Sequence, residues 1–370
     1  MNMKRNIFLL GLSIVLLLGL LGCGNNDSVS GKKSTGKFKE IDSIEVNGYL
    51  DIYTFYLSDD GSVLNWGEAD ASLSNIARMM IWVDGEKEEL DFDTFAHFST
   101  LQHSGNMFVS MSDYEKKENH RSLLIYDPRT GETEEFQKTV EGKDIFHVLP
   151  GYVSEETGVI AVDGTDRENL NFYLWDYKKD ELEMYTLTDD INNLIDEIEE
   201  PYHPSLTLSR DAKSLYISSE EGILHYHTET GELNEISMGN GNYSIETTVD
   251  SQYAITEETK ENDEDIIGLY TYFMTDRDTF ESKEIGFGTN IHPITGNKVV
   301  IQNENELNLY DPETEETTAF YNIKLGEEEK LKRVAISADG NTIAYAYETK
   351  VKNKKEGKTE DKTTIKIIRR

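Results

Sequence analysis

Short apolar runs broken by polar turns recur from residue 38 to residue 370, and the stretch from Leu206 to Glu232 carries the pattern most plainly. Leu206 and Leu208 end in the polar turn Ser209-Arg210-Asp211-Ala212-Lys213. Leu215-Tyr216-Ile217 follows, then Ser219-Glu220-Glu221-Gly222, then Ile223-Leu224-His225-Tyr226, then Thr230-Gly231-Glu232. Apolar, β-branched and aromatic runs of this length between Ser, Asp and Gly clusters predict hairpins in series. One such meander cannot bury its faces alone and needs neighbours of the same kind.

The first turn recurs at Ser58-Asp59-Asp60-Gly61, His103-Ser104-Gly105-Asn106, Glu156-Thr157-Gly158, Val249-Asp250-Ser251, Ile294-Thr295-Gly296-Asn297 and Ser337-Ala338-Asp339-Gly340. With the Asp211 turn this makes seven copies, spaced from 39 residues (Asp211 to Asp250) to 54 (Gly158 to Ala212). An aromatic marks the third strand of six copies: Trp82, Tyr126, Trp175, Tyr226, Tyr272 and Tyr310. A four-stranded unit of this period predicts an all-β, seven-bladed propeller over residues 37–370. A chain of β-sandwiches would instead need about 100 residues per domain. The seventh copy has strands at Arg333 to Ile336, Thr342 to Tyr347 and Thr364 to Ile368, and then the chain stops. The spare alternation Phe38 to Ile44 is therefore expected to supply its fourth strand and protect edges that would otherwise invite aggregation.

Two kinds of segment break the repeat. From Thr188 to Glu200 the apolar residues Ile191, Leu194, Ile195 and Ile198 fall at helical spacing, with Thr188 as cap and Pro201 as stop. This predicts one short helix inserted between blades 3 and 4. Three hairpins between second and third strands are long and charged: Asp113 to His120, Glu257 to Asp265 and Lys350 to Lys362. They project from the face that carries the blade-to-blade crossovers. Variable insertions on a regular scaffold are a usual place for recognition. Tyr114, Lys116, Lys117, His120, Lys350, Lys352, Lys354 and Lys355 are thus candidate partner-binding residues. The turns on the opposite face are short and stereotyped, which predicts little specialisation there.

The first residues are of another kind. Lys4 and Arg5 precede the apolar run Ile7 to Leu18, and Leu20-Leu21-Gly22-Cys23 follows. This order resembles the signal and lipobox of bacterial lipoproteins. The resemblance implies cleavage after residue 22, with Cys23 acylated and the mature protein held extracytoplasmically on the bacterial cell membrane. Residues 23–36 would be the lipidated cysteine and a flexible tether of Gly, Asn, Ser and Lys. Cys23 is the only cysteine, so an intrachain disulfide is excluded.

Charge and chemistry narrow the function further. Without Lys4 and Arg5 the chain has 34 basic against 71 acidic side chains, a formal net charge of −37. That argues against nucleic acid, whose binding needs basic surface. There is no Gly-x-Ser-x-Gly elbow, no His-Glu-x-x-His and no phosphate loop. The carboxylates of Glu257 to Asp265 do not match a calcium loop, so no metal or cofactor is expected. His225 and His227 share a strand face and read as ordinary sheet surface. His97, His147 and His203 each precede a first strand and could converge at a mouth of the central channel.

The phrases Ser58-Asp59-Asp60-Gly61 and Ser337-Ala338-Asp339-Gly340-Asn341-Thr342-Ile343-Ala344 resemble the repeats of TolB-type propellers. The Tyr-Asp-Pro phrase at Tyr126 to Glu132 and Tyr310 to Glu315, where Glu315 replaces the glycine, is similar to propellers of the lactonase and quinoprotein kind. The reading favoured by the sequence is an anchored platform for a protein or small-ligand partner. The alternative is an enzyme of lactonase or hydrolase type at the channel mouth. Three or more convergent carboxylates or imidazoles there would favour the enzyme, and a lining of backbone and small residues the platform.

Overall fold

The computed structural model describes residues 37–69, 76–90, 96–112, 121–138, 152–163, 171–186, 205–218, 222–236, 245–259, 269–352 and 359–370. They form seven four-stranded antiparallel sheets. Strand β1 (Lys39–Glu45) belongs to the last of them. Blade 1 is β2 (Tyr49–Leu57), β3 (Val63–Ala69), β4 (Ile76–Val83) and β5 (Glu86–Leu90). Blade 2 is β6 (Ala96–Leu101), β7 (Met107–Ser112), β8 (Arg121–Asp127) and β9 (Glu132–Lys138). Blade 3 is β10 (Val153–Ser154), β11 (Val159–Asp163), β12 (Asn171–Asp176) and β13 (Glu181–Thr186). Blade 4 is β14 (Ser205–Leu208), β15 (Ser214–Ser218), β16 (Ile223–His227) and β17 (Leu233–Ile236). Blade 5 is β18 (Ile245–Thr247), β19 (Tyr253–Thr259), β20 (Tyr270–Asp276) and β21 (Ser282–Gly288). Blade 6 is β22 (Asn290–Ile294), β23 (Lys298–Asn303), β24 (Glu306–Asp311) and β25 (Glu316–Asn322). Blade 7 is β26 (Glu329–Ile336), β27 (Thr342–Lys352) and β28 (Thr359–Arg369), completed by β1. The four strands of each blade are called A to D from the channel outward.

The core lies between the blades, and every adjacent pair shares an apolar cluster. Trp66 and Trp82 of blade 1 meet Ala344, Ala346, Ile365 and Ile367 of blade 7. Val63 and Ile81 meet Leu101, Met107 and Val109 of blade 2. The same holds around the ring, through Phe108 against Trp175, Leu174 against Leu215, Tyr216 against Ala254, Tyr272 against Val299, and Val300 against Tyr345. Seven interfaces for seven sheets close the ring.

The A–B turns explain why the repeat reads as it does. Each ends in a residue with a left-handed backbone: Gly61, Gly105, Gly158, Ala212, Ser251, Asn297 and Gly340, with φ between 55° and 91°. Glycine takes that conformation at no steric cost, which is why it recurs there. The turn serine serves both strands. Ser209 Oγ donates to Asp211 Oδ1 at 2.6 Å and accepts from Ser214 N at 3.0 Å. Ser58 with Asp60 and Val63, and Ser337 with Asp339 and Thr342, repeat the arrangement.

The ring closes as expected from the spare N-terminal alternation. β1 pairs antiparallel with β28, from Lys39 opposite Arg369 to Glu45 opposite Thr364. Ile44 and Val46 enter the cluster around Trp66 and Trp82, and Asp42 Oδ2 accepts a 2.6 Å bond from Trp82 Nε1. Two readings need correction. The stretch 350–362 is not one long loop: Lys350, Val351 and Lys352 are strand residues opposite Asp361, Glu360 and Thr359, leaving 353–358 between the paired ends. Alternating β-branched and charged residues carry the ladder past Tyr347, where the charge count suggested a turn. His225 is not at a sheet surface either. It is 1 % exposed, with Nε2 2.9 Å from Ser214 Oγ and its ring against Tyr216 and, from blade 5, Phe280. The predicted helix 188–200 lies outside the described residues, among which no helix is long and apolar enough to cross a membrane.

Candidate functional site

The A strands line an axial channel of about 510 Å³. Alternation along a strand puts every second residue on one face. Counting back two residues from the start of each A–B turn gives Tyr56, Thr100, Tyr152, Thr207, Glu246, His292 and Ala335, one per blade. Tyr56, Tyr152, Thr207, Glu246, His292 and Ala335 line the channel, as does Arg333, two residues before Ala335.

This layer holds polar groups without partners. Glu246 is exposed to the channel, and among the described residues no cation or hydrogen-bond donor meets its carboxylate. Burial within the ring pushes its carboxyl above the ordinary glutamate range, against the pull of His103 and Arg210. Arg333 Nε and His292 Nε2 are both buried with no hydrogen-bond partner. Burial holds the His292 imidazole down at about 4, opposed by the Gln302 side chain and helped by the Arg333 charge. Burial also raises the Tyr56 hydroxyl, with Glu246 adding to the effect and Arg333 opposing it. Tyr56 thus senses both unpaired charges.

A second group sits at the channel mouth on the A–B side. The residue after each turn serine, or its equivalent, points toward the axis there: Asp59, His103, Glu155 and Arg210 in blades 1 to 4. They line a cavity of about 260 Å³ together with Asp60, Ser104, Val153 and Glu156. Arg210 crosses the mouth to pair with Asp59, its Nη2 lying 3.4 Å from Oδ1. His103 Nδ1 is 3.5 Å from the same oxygen. Burial alone would raise the Asp59 carboxyl, but the His103 and Arg210 contacts outweigh it and hold it below the usual aspartate range. Glu155 accepts from both the backbone N–H of Ser104, at 2.8 Å, and its hydroxyl. Two carboxylates and an imidazole therefore converge at this mouth. Among the described residues, no group of three or more His, Cys, Asp or Glu side chains is arranged to hold a metal ion.

These residues are not the ones singled out from the sequence. Cys23, Tyr114, Lys116, Lys117, His120, His147, His203, Lys354 and Lys355 lie outside the described residues. His97 lies on β6, and Lys350 and Lys352 lie on β27. The A–B turns, expected to be too uniform to specialise, carry Asp59, His103, Glu155 and Arg210. The turn chemistry fixes Ser, Asp and Gly but leaves the position after the serine free. His292 also faces the channel.

The fold and its channel define the class: a closed seven-bladed β-propeller of four-stranded blades. Solved structures superpose on this fold. Oligogalacturonate lyase in complex with manganese superposes with a TM-score of 0.53 at 11 % identity, over 88 % of this chain and 90 % of that one. A chain of the Mitotic Checkpoint Complex gives 0.51 at 11 % identity, over 94 % and 97 %. The β-propeller domain of the Trilobed protease from Pyrococcus furiosus, described as having an open velcro topology, gives 0.50 at 15 % identity, over 85 % and 94 %. Identities this low speak to the fold alone. No protein-family model and no curated protein sequence matches the chain.

Proposed function

We propose that this is an extracytoplasmic lipoprotein, anchored to the bacterial membrane through acylated Cys23, whose propeller binds a small polar molecule in its axial channel. The observation that carries the binding reading is the channel layer in which Glu246, Arg333 Nε and His292 Nε2 stand without protein partners. Arg333 Nε and His292 Nε2 are buried, and buried polar groups are ordinarily satisfied; together with the exposed Glu246 carboxylate they form a set around a cavity that a ligand would complete. The volume, about 510 Å³, lies within the usual range of ligand sites. The anchoring reading rests on the order of basic start, apolar run and Leu-Leu-Gly-Cys at residues 20–23.

Two measurements test the proposal. Fatty-acid labelling should mark the wild type and not Cys23→Ser, which should leave the membrane fraction; label kept in the variant removes the anchor. A thermal-shift screen of small metabolites should give hits that Thr207→Trp, which fills the channel, abolishes while remaining folded by circular dichroism. Hits that survive this block place binding elsewhere.

One observation favours a second reading, an enzyme of hydrolase type at the A–B mouth. Asp59, His103 and Glu155 converge there, the composition expected of a catalytic site. In it, Asp59 would orient His103 as a general base. Turnover of lactone or ester substrates that disappears in His103→Ala would support it.

A further inference from the structure

The two unpaired charges of the channel are opposite in sign and do not meet each other. Arg78, Arg129, Arg210, Arg277 and Arg369 each lie within 4 Å of a carboxylate. Arg333 alone among these six does not, in a chain with 71 acidic side chains. Its Nε is buried. Glu246 is the mirror case: it projects into the same channel and no cation neutralises it, the Arg210 guanidinium being held by Asp59. Both residues line the same channel as Tyr56. An unpaired charge removed from bulk water is costly unless a counter-charge arrives.

A ligand that carries only an anion would satisfy Arg333 and be repelled by Glu246. One that carries only a cation would do the reverse. A neutral polyol would desolvate both charges and neutralise neither. Resting on the channel-binding reading above, we propose that the ligand is a zwitterion of amino-acid to dipeptide size, its carboxylate against Arg333 and its ammonium against Glu246. The remaining polar groups suit such a molecule. Neutral His292 offers a ring nitrogen, and Thr207 and Asn290 line the same walls.

The test is isothermal titration of the full chain in detergent. Its probes are glycine, L-leucine, L-glutamate, L-lysine and glycylglycine, against acetate, methylammonium, N-acetylglycine, glycinamide and glucose. At least one zwitterion should bind, and its N-acetyl and amide forms should bind about 10- to 100-fold more weakly, the loss of one charge-assisted hydrogen bond. Glu246→Gln should erase the preference over the N-acetyl form only. Arg333→Gln should erase the preference over the amide only. Equal binding of glucose, or zwitterion binding unchanged in both variants, overturns the proposal and leaves channel binding standing. Failure of every zwitterion to bind, while the metabolite screen yields a hit lost in Thr207→Trp, likewise overturns the zwitterion alone. Failure of both screens overturns the channel reading itself.

Discussion

At the scale of single residues, the turn serine and the residue after it divide the labour. The serine hydroxyl ties the two strands together, so its loss should be structural. Ser209→Ala removes the bond to Asp211 and leaves the N–H of buried Ser214 without its side-chain acceptor. The expected cost is about 1–3 kcal/mol, read from urea unfolding, with channel ligand affinity unchanged in the folded protein. A loss below about 0.3 kcal/mol would mean that water replaces the hydroxyl. The next residue is free of that duty. It is Asp59, His103, Glu155, Arg210, Val249, Thr295 or Ala338 in the seven blades. Chemistry collects where the fold does not dictate the side chain.

At the scale of elements, the closing strand is the least protected by local contacts, because β1 and β28 are far apart in sequence. Deleting residues 37–45 exposes an edge of β28 and removes Ile44 from the cluster around Trp66 and Trp82. It also strips Trp82 Nε1 of its Asp42 partner. The melting temperature should fall by many degrees, and aggregation on heating should increase. An unchanged melt would mean that the ring holds without its N-terminal strand.

The same scale shows what could be read in advance. The seven turns, the aromatic third strands and the spare N-terminal alternation were legible because turn chemistry and two-residue periodicity are local. The channel layer was not. Glu246 and His292 are ordinary residues in their own strands and become neighbours only when seven A strands are set around one axis. Counting five residues back from the left-handed turn residue gives that layer in six blades; in blade 3, whose turn is one residue longer, the count is six.

At the scale of the whole molecule, acid should unfold the ring in two stages. His225 and His292 are held at about 4 by burial. Unfolded, they would take protons near their ordinary 6.5, so their contribution to stability is full above that value and lost as pH falls from about 6.5 to about 4. Each is worth on the order of 3 kcal/mol. Asp59, Asp60, Asp176, Asp211, Asp276 and Asp311 are held below the usual aspartate range by hydrogen bonds that outweigh burial, joined in all but Asp276 by a nearby cation. Their contribution is present above about 3.9 and lost below it. Glu246 acts in the opposite sense, since protonating it relieves its burial. Urea midpoints at pH 7.5, 5.5, 4 and 3 should fall at each step, and His292→Gln should flatten the first decline. A midpoint constant from 7.5 to 4 would contradict the assignment of the two imidazoles.

The register of the closing strand also sets the side on which the chain enters the ring. Lys39 lies opposite Arg369, and Arg369 reaches the A–B turns, donating to Gly61 O at 2.8 Å and to Thr342 Oγ1 at 3.0 Å. The chain therefore enters the ring on the A–B side. The Asp59–Arg210 bridge lies at that same mouth, so a solute entering there meets the bridge before it reaches Arg333 and Glu246.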